Sequence, residues 1–337
     1  MIDVLVAGGG PAGLAAAVHA RLAGLTVVVV EPRTAPVDKA CGEGVMPGGV
    51  AALRALGVEA AGRELRGIRY VDGARRAEAP FRDSPGLGVR RTTLHHALHE
   101  RALSLGVHVE PGKVGEVRQT PDGVTAAGIT ARWLIAADGL HSPTRRRLGL
   151  ELPGGARGRY GLRRHYRVEP WTDFVEVHWS GHGEAYVTPV ADDLVGVAVL
   201  SRVRRGYDEH LAGFPALTAV LRGAAATQVR GAGPLLQRVR RRVAGRVLLV
   251  GDAAGYVDAL TGEGIALALA TAEAAVRGVV AGRPERYERD WTLLTRRHRL
   301  LTRALLAASG RPGTARLVVP LACRVPAVFS AAVHALR

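Results

Sequence analysis

Val4-Leu5-Val6-Ala7-Gly8-Gly9-Gly10-Pro11-Ala12-Gly13 lies at the head of a chain of 337 residues, an apolar run that breaks into glycines. The apolar run reads as a buried strand, and the G-x-G-x-x-G spacing from Gly8 to Gly13 as a tight turn into a helix. Glycines in this pattern let the backbone bend, approach a pyrophosphate and pack the helix on the sheet, while the helix N-terminus faces the phosphates. The helix is expected from about Pro11 to Ala23 with Gly24 as its stop, and Leu25 to Val30 as the next strand, ending at Glu31. Glu31 lies 18 residues beyond Gly13, close to the ~20 expected of an acid that holds ribose hydroxyls. Gly8, Gly10, Pro11, Ala12, Gly13 and Glu31, with Pro32 and Arg33 behind it, are therefore candidate dinucleotide contacts, and the acid argues against a 2′-phosphate.

Two further motifs narrow the dinucleotide. Ala137-Asp138-Gly139 follows the apolar run Trp133 to Ala136, and Gly251-Asp252-Ala253-Ala254-Gly255 follows Val247 to Val250. Thr261-Gly262-Glu263-Gly264-Ile265 then opens a helix of small residues, Ala266 to Val276. A second helix N-terminus with glycines beside it suits a planar ring that carries negative charge when reduced. Asp138 and Asp252 suit ribityl or ribose hydroxyls, or a held water; as an alternative, Asp252 caps a helix. Three motifs in this order, each at the exit of a buried strand, point to FAD. Gly139, Gly251, Gly262, Gly264 and Ile265 join the candidate contacts, as does Val114.

These motifs resemble those of the p-hydroxybenzoate hydroxylase and geranylgeranyl reductase group of flavoproteins, over a span from Val4 to about Val276. The resemblance implies an α/β fold: a Rossmann-like FAD-binding domain of the glutathione-reductase type, an interwoven antiparallel β-sheet substrate domain and a helical C-terminus. It also implies an arginine on the FAD in the pattern Arg-x-x-Leu-x-x-x-Leu, which Arg91, Leu94 and Leu98 fit; Arg90 is second choice, and a solvated arginine is the plain alternative. The expected FAD-binding segments are 1–70, 88–154 and 236–282, the substrate segments 71–87 and 155–235, and the C-terminal segment 283–337. Alternation in Phe174 to Trp179, and apolar runs at Ala185 to Pro189 and Val195 to Leu200, read as the antiparallel sheet.

Lys39-Ala40-Cys41-Gly42-Glu43-Gly44-Val45-Met46-Pro47 should pass the flavin ring. Cys41 and Gly42 are candidate flavin contacts, since geranylgeranyl reductases carry a similar pair. Cys41 and Glu43 are the candidate catalytic residues: the thiol to line the site, tune the flavin or donate a proton, the carboxylate as acid/base. A buried structural cysteine and a loop brace are the alternatives, and the flanking glycines favour the brace for Glu43. Glu184-Ala185-Tyr186-Val187-Thr188-Pro189 departs from the Tyr-x-Trp-x-Phe-Pro element of geranylgeranyl reductases and from the Trp-x-Trp-x-Ile-Pro of halogenases. His165, Tyr166, His178, Trp179 and Tyr186 fall in the substrate region and read first as ordinary sheet residues.

The formal charge is +16, yet lysine occurs only at Lys39 and Lys113. Scattered arginine in an Ala- and Gly-rich chain fits a compositional background, and no aromatic-interleaved basic stripe suggests nucleic-acid binding. Cys41 and Cys323 offer no metal spacing and no disulfide framework. No signal peptide and no membrane-spanning run are apparent, so a cytoplasmic enzyme is expected. The basic stretch from Arg286 to Ala308 and the apolar one from Leu317 to Leu336 read as a helical wall, with peripheral membrane contact as the alternative.

The resemblance implies non-covalent FAD, NAD(P)H as a transient reductant, and a hydrophobic or aromatic small-molecule substrate. The first expectation is a monooxygenase hydroxylating an aromatic or polyketide-type compound through a flavin C4a-hydroperoxide. Saturation of prenyl-chain double bonds, as by geranylgeranyl reductase, is the second, favoured by Cys41-Gly42 and opposed by the departure at Glu184 to Pro189. A non-catalytic flavin-binding redox sensor is the third.

Overall fold

A computed structural model describes residues 1–153, 158–181, 183–222, 224–310 and 312–335. Four apolar segments far apart in sequence lie side by side as parallel strands, in the order Val247–Leu249, Ile129–Ala136, Ile2–Ala7, Val27–Glu31, and His108–Pro111 continues the sheet. Their side chains are buried on both faces, which explains why they read as continuous apolar runs rather than alternating ones. The helix Pro11–Leu22 and the helix Gly264–Val280 pack against one another, and both are rich in alanine, so the backbones approach closely. From strand Ile2–Ala7 the chain passes to Val27–Glu31 on one side and later returns as Ile129–Ala136 on the other, and ligands bind at the carboxyl end of such a switch point. The motif-bearing turns all leave that edge.

A second sheet runs in the order Arg230–Ala232, Tyr160–Tyr166, Leu194–Ser201, Gly183–Ala191, Phe174–Ser180, Gly67–Asp72, Arg75–Pro80. It is antiparallel, as expected, except that Phe174–Ser180 and Gly67–Asp72 run parallel, because they come from separate excursions of the chain. Strand Gly67–Asp72 also straddles the boundary expected at residue 70: its first residues already pair in the second sheet. The boundary expected at 154–155 lies outside the described residues, as does Leu336, the end of the expected apolar C-terminal stretch. Gly44–Val45, Gly86–Gly88 and Arg63–Leu65 form a small third sheet between the two. The chain closes with helices Arg286–Ser309, Val318–Arg324 and Pro326–His334, the last two packed on strand Arg75–Pro80.

Candidate functional site

The first turn is built by exclusion. Gly8 has φ +100°, and a Cβ on Gly13 would stand 1.8 Å from the Gly8 carbonyl oxygen, so only hydrogen fits there. Pro11 starts the helix, Ala12 is buried behind it, and the first intrahelical bond runs from Leu14 N–H to the Gly10 carbonyl. The Ala12 and Gly13 amides thus have no carbonyl within the helix to serve, as an anion site requires. Glu31 accepts from the Gly9 N–H at 2.7 Å and from Arg33 Nε at 2.7 Å. Burial would raise its carboxyl, but the bonds from Arg33 and Gly9 outweigh it and hold the group below the usual carboxylate range. Pro32 and Arg33 are exposed at the rim, and Val114 is half-buried nearby in sequence to the end of strand His108–Pro111.

Arg91 begins the helix Arg91–Ser104 and is only 6% exposed. No carboxylate lies within ion-pair distance of it among the described residues, its Nη1 has no partner, and its Nη2 faces the space beside Gly10. Burial lowers the guanidinium's pKa from its ordinary value, against weak pulls from Cys41 and Asp252. A buried cation without a counter-charge, beside free helix-start amides, fits a pyrophosphate. Arg90, by contrast, is the residue before the helix. One turn on, buried His95 places Nε2 2.9 Å from the Gly9 carbonyl, and since a carbonyl only accepts, that nitrogen carries the proton.

The second and third motifs are stitched together by Arg145, which is fully buried. It donates to the carbonyls of Leu140 (2.9 Å) and Ala253 (3.2 Å), to Gln237 Oε1 and to Glu151. Arg145 thereby holds the Asp138-Gly139 turn against the Gly251-Asp252 turn. Asp138 uses Oδ2 to accept the Thr144 N–H at 2.9 Å and leaves Oδ1 buried without a partner among the described residues. Asp252 sits in the single turn Gly251–Ala254 and makes no cap bond, against the capping alternative; Lys39 Nζ approaches it at 4.0 Å. Gly139 has only Lys39 within 4 Å of a would-be Cβ, Gly42 has nothing, and Gly262 meets Met46. Beyond it Gly264 opens its helix with Ile265 half-buried. These glycines border open space, and the orphaned oxygen of Asp138 and nitrogen of Arg91 are the complement of a ligand rich in hydroxyls and phosphates. The residues present fit FAD.

Glu43 has φ +60°, a conformation that costs a non-glycine residue about 1 kcal/mol, between two glycines that leave room for it. Its side chain is buried, with Oε1 accepting the Arg91 N–H at 2.8 Å and Oε2 lying 2.6 Å from His165 Nε2. Arg163 Nη1 donates to His165 Nδ1 at 3.1 Å, which makes Nδ1 an acceptor and His165 the neutral Nε2–H tautomer. Arg163 also reaches Asp38 and the Lys39 carbonyl, and Thr227 backs the imidazole. The Cys41 thiol accepts the Glu43 N–H at 3.4 Å; burial pushes it above its ordinary pKa, with Arg91 lowering it only in part. It stays protonated near neutrality.

The sequence candidates therefore gather along one edge, with Pro32 and Arg33 outermost. Sequence reasoning missed His95, Arg145, Arg163 and Lys39 as site residues, and it read His165 as an ordinary sheet residue. Two of these carried a local signal: Lys39 heads the stretch expected to pass the flavin ring, and Arg145 lies in Ser142-Pro143-Thr144-Arg145 directly after the second motif.

The FAD binding domain family matches residues 1–163. Menaquinone reductase of Mycolicibacterium smegmatis is 32% identical over 88% of this chain and 80% of its own length. Digeranylgeranylglycerophospholipid reductase 1 of Methanothermobacter thermautotrophicus is 30% identical over 78% and 73%. Rifampicin monooxygenase of Streptomyces venezuelae is 32% identical, but over 46% of this chain and 35% of its own. The crystal structure of a geranylgeranyl bacteriochlorophyll reductase-like protein of Thermoplasma acidophilum superposes with a TM-score of 0.79 at 22% identity, over 98% of this chain and 91% of that one. The chain belongs to the FAD-dependent oxidoreductases of the p-hydroxybenzoate hydroxylase and geranylgeranyl reductase group.

Proposed function

We propose that the protein binds one non-covalent FAD and saturates a carbon–carbon double bond in a long apolar, isoprenoid-type substrate, with NAD(P)H as the transient source of electrons. The supporting observation is where similarity extends. The two reductases match this chain through both sheets, whereas the monooxygenase matches less than half of it. Over that length the chain is similar to proteins named as reductases of menaquinone and of a digeranylgeranyl lipid, which supports the reading. Hydroxylation of an aromatic or polyketide-type compound, the first expectation from sequence, draws support from relatives matched over less than half of this chain.

When bound and reduced by NAD(P)H, FAD would supply the hydride for such a saturation. The protein binds, orients and manages the proton. The helix amides at Ala12 and Gly13 with Arg91 would hold the pyrophosphate, Glu31 the adenosine ribose, and Asp138 a hydroxyl. Glu43, fixed from both sides, braces the loop that carries Cys41. The neutral Cys41 thiol holds a proton at Sγ for the second carbon, to be restored from solvent. Apolar side chains of the second sheet, including Val175, Val177 and Tyr186, pack with Met46, Leu140 and Leu260 of the cofactor loops and make the wall a prenyl chain would meet.

The test is turnover of chemically reduced, flavin-loaded enzyme with a menaquinone or a geranylgeranyl lipid under strictly anaerobic conditions. The expected product is heavier by two hydrogens. Oxygen consumption with a hydroxylated product, and no saturation without oxygen, would overturn the reading in favour of monooxygenation.

A further inference from the structure

The helices Val318–Arg324 and Pro326–His334 bury one side and leave the other in an unusual state. Val319, Ala322, Phe329 and Val333 are buried, Phe329 lies 4.5 Å from the Tyr70 ring, and His334 bonds the Pro80 carbonyl at 2.8 Å. The outer side should then be polar. Instead Leu317, Leu321, Val325 and Val328 are 60%, 61%, 41% and 65% exposed. Leu317 and Leu321 are one turn apart, Val325 is the joint and Val328 lies in the first turn of the next helix, so the aliphatic positions follow one another along the segment rather than being scattered. Exposed Arg316 and Arg324 are set among them. On the preceding helix Arg286–Ser309, Leu293, Leu294 and Leu300 are likewise exposed, beside exposed Arg296, Arg297 and Arg303.

Charge decides the occupant. Residues 291–337 contain eight arginines and no aspartate or glutamate; the last acid is Asp290. A protein partner of ordinary composition, or a second copy of this segment, would offer these arginines little or only repulsion. A surface of lipid phosphates answers the exposed ones, Arg296, Arg297, Arg303, Arg316 and Arg324, and its acyl boundary accepts the aliphatic side chains. No helix among the described residues is long and apolar enough to cross a bilayer, so the contact is interfacial.

We infer that the C-terminal helices dock the protein on an anionic lipid surface, with Leu317, Leu321, Val325 and Val328 entering the headgroup boundary and the arginines meeting phosphates. The inference rests on exposure and charge, and stands whichever reaction the enzyme performs.

The experiment is co-sedimentation of the flavin-loaded full chain with vesicles of phosphatidylcholine alone or with about a third phosphatidylglycerol. Binding is expected to the anionic vesicles, to fall steeply with salt, and to weaken about ten-fold or more in the double variant L321E/V328E. Both positions are exposed, so the variant should keep its flavin content and melting temperature. Wild-type protein that ignores anionic vesicles would overturn the inference, as would a variant that binds them equally well. A wild-type dimer that the double variant dissolves, seen by sedimentation velocity, would assign the face to a second copy and overturn it too.

Discussion

Glu43 Oε2 and His165 Nε2, 122 residues apart in the chain, stand 2.6 Å apart in the interior. The bond ties the loop beside the cofactor edge to the second sheet, and Glu43's other oxygen ties the same loop to the start of the Arg91 helix. Gly196 makes this approach achievable, since a Cβ there would sit 2.7 Å from Glu43 Oε2. Both oxygens face N–H donors. Glu43→Gln must turn an amide NH2 toward one of them, setting donor against donor at a cost of about 1–3 kcal/mol. FAD affinity in Glu43→Gln is expected to fall roughly ten- to a hundred-fold, with the pH profile of turnover unchanged. Loss of one pH-dependent limb at full flavin occupancy would instead make Glu43 an acid/base catalyst.

Arg91 gives a prediction with opposite signs in two states. Without the cofactor its guanidinium is a buried cation with no carboxylate within ion-pair distance among the described residues, which is costly. Replacement by methionine, of similar reach and no charge, should leave the apoprotein as stable or raise its melting temperature. The same change removes charge-assisted bonds to the pyrophosphate worth about 1.5–3 kcal/mol, so the FAD dissociation constant should rise roughly ten- to a hundred-fold. Calorimetry of the apoprotein beside flavin titration separates the two effects. An apoprotein strongly destabilised by Arg91→Met would mean that the arginine serves the fold rather than the ligand.

Two glycines in the same site should respond differently. Gly13→Ala places a carbon 1.8 Å from the Gly8 carbonyl, which no local movement accommodates, so flavin binding should be lost. Gly42 has nothing within 4 Å of a would-be Cβ and no left-handed φ, so Gly42→Ala should fold normally. Any reduction in flavin affinity in Gly42→Ala then reports the ligand's own volume. Equal tolerance at both positions would contradict the packing described here.

That contrast marks what the chain alone made legible. Gly13 was readable because its constraint is local: strand, turn and helix follow within ten residues. The adjacency of the three motifs was expected from their shared position after buried strands, and the parallel order of the strands supplies the physical reason. His165 was not readable, because its partner is set by which strand pairs with which. A histidine in an alternating strand carries no mark of that. His95 looked like one more histidine of a helix that also holds His96 and His99; only its position over the Gly9 carbonyl singles it out. The boundary at residue 70 was misplaced because Gly67–Asp72 pairs with a strand about a hundred residues further on.

Buried His95 makes the first motif sensitive to acid. Burial, with Arg91 adding repulsion, lowers its pKa to about 4 from an unfolded value of 6.5. The unfolded chain therefore takes up a proton before the folded one does. The stability tied to neutral His95 is complete above pH 6.5 and is lost progressively as pH falls toward 4, by at most about 3 kcal/mol. In His95→Gln the amide can still donate to the Gly9 carbonyl but does not titrate. Its melting temperature should fall less than that of the wild type between pH 6.5 and 4.5. Parallel curves for the two proteins would remove His95 from the acid response.

The Cys41 thiol allows the reaction itself to be probed. Burial keeps it protonated near neutrality, and its only hydrogen-bond partner among the described residues is the Glu43 N–H, which leaves the S–H free to point elsewhere. Cys41→Ser preserves the volume but offers a far weaker acid, with a hydroxyl in place of a soft sulfur. If the thiol delivers the second hydrogen of a saturation, anaerobic product formation in Cys41→Ser should drop at least about ten-fold, within the range general acids contribute. FAD affinity and the rate of flavin reduction should stay at the wild-type level. Running the reaction in deuterated water adds a readout that a packing role would not move: a solvent isotope effect expected in the wild type and enlarged in the serine variant. Wild-type rates and isotope effects in Cys41→Ser would leave the cysteine a wall of the site, with the proton arriving by another route.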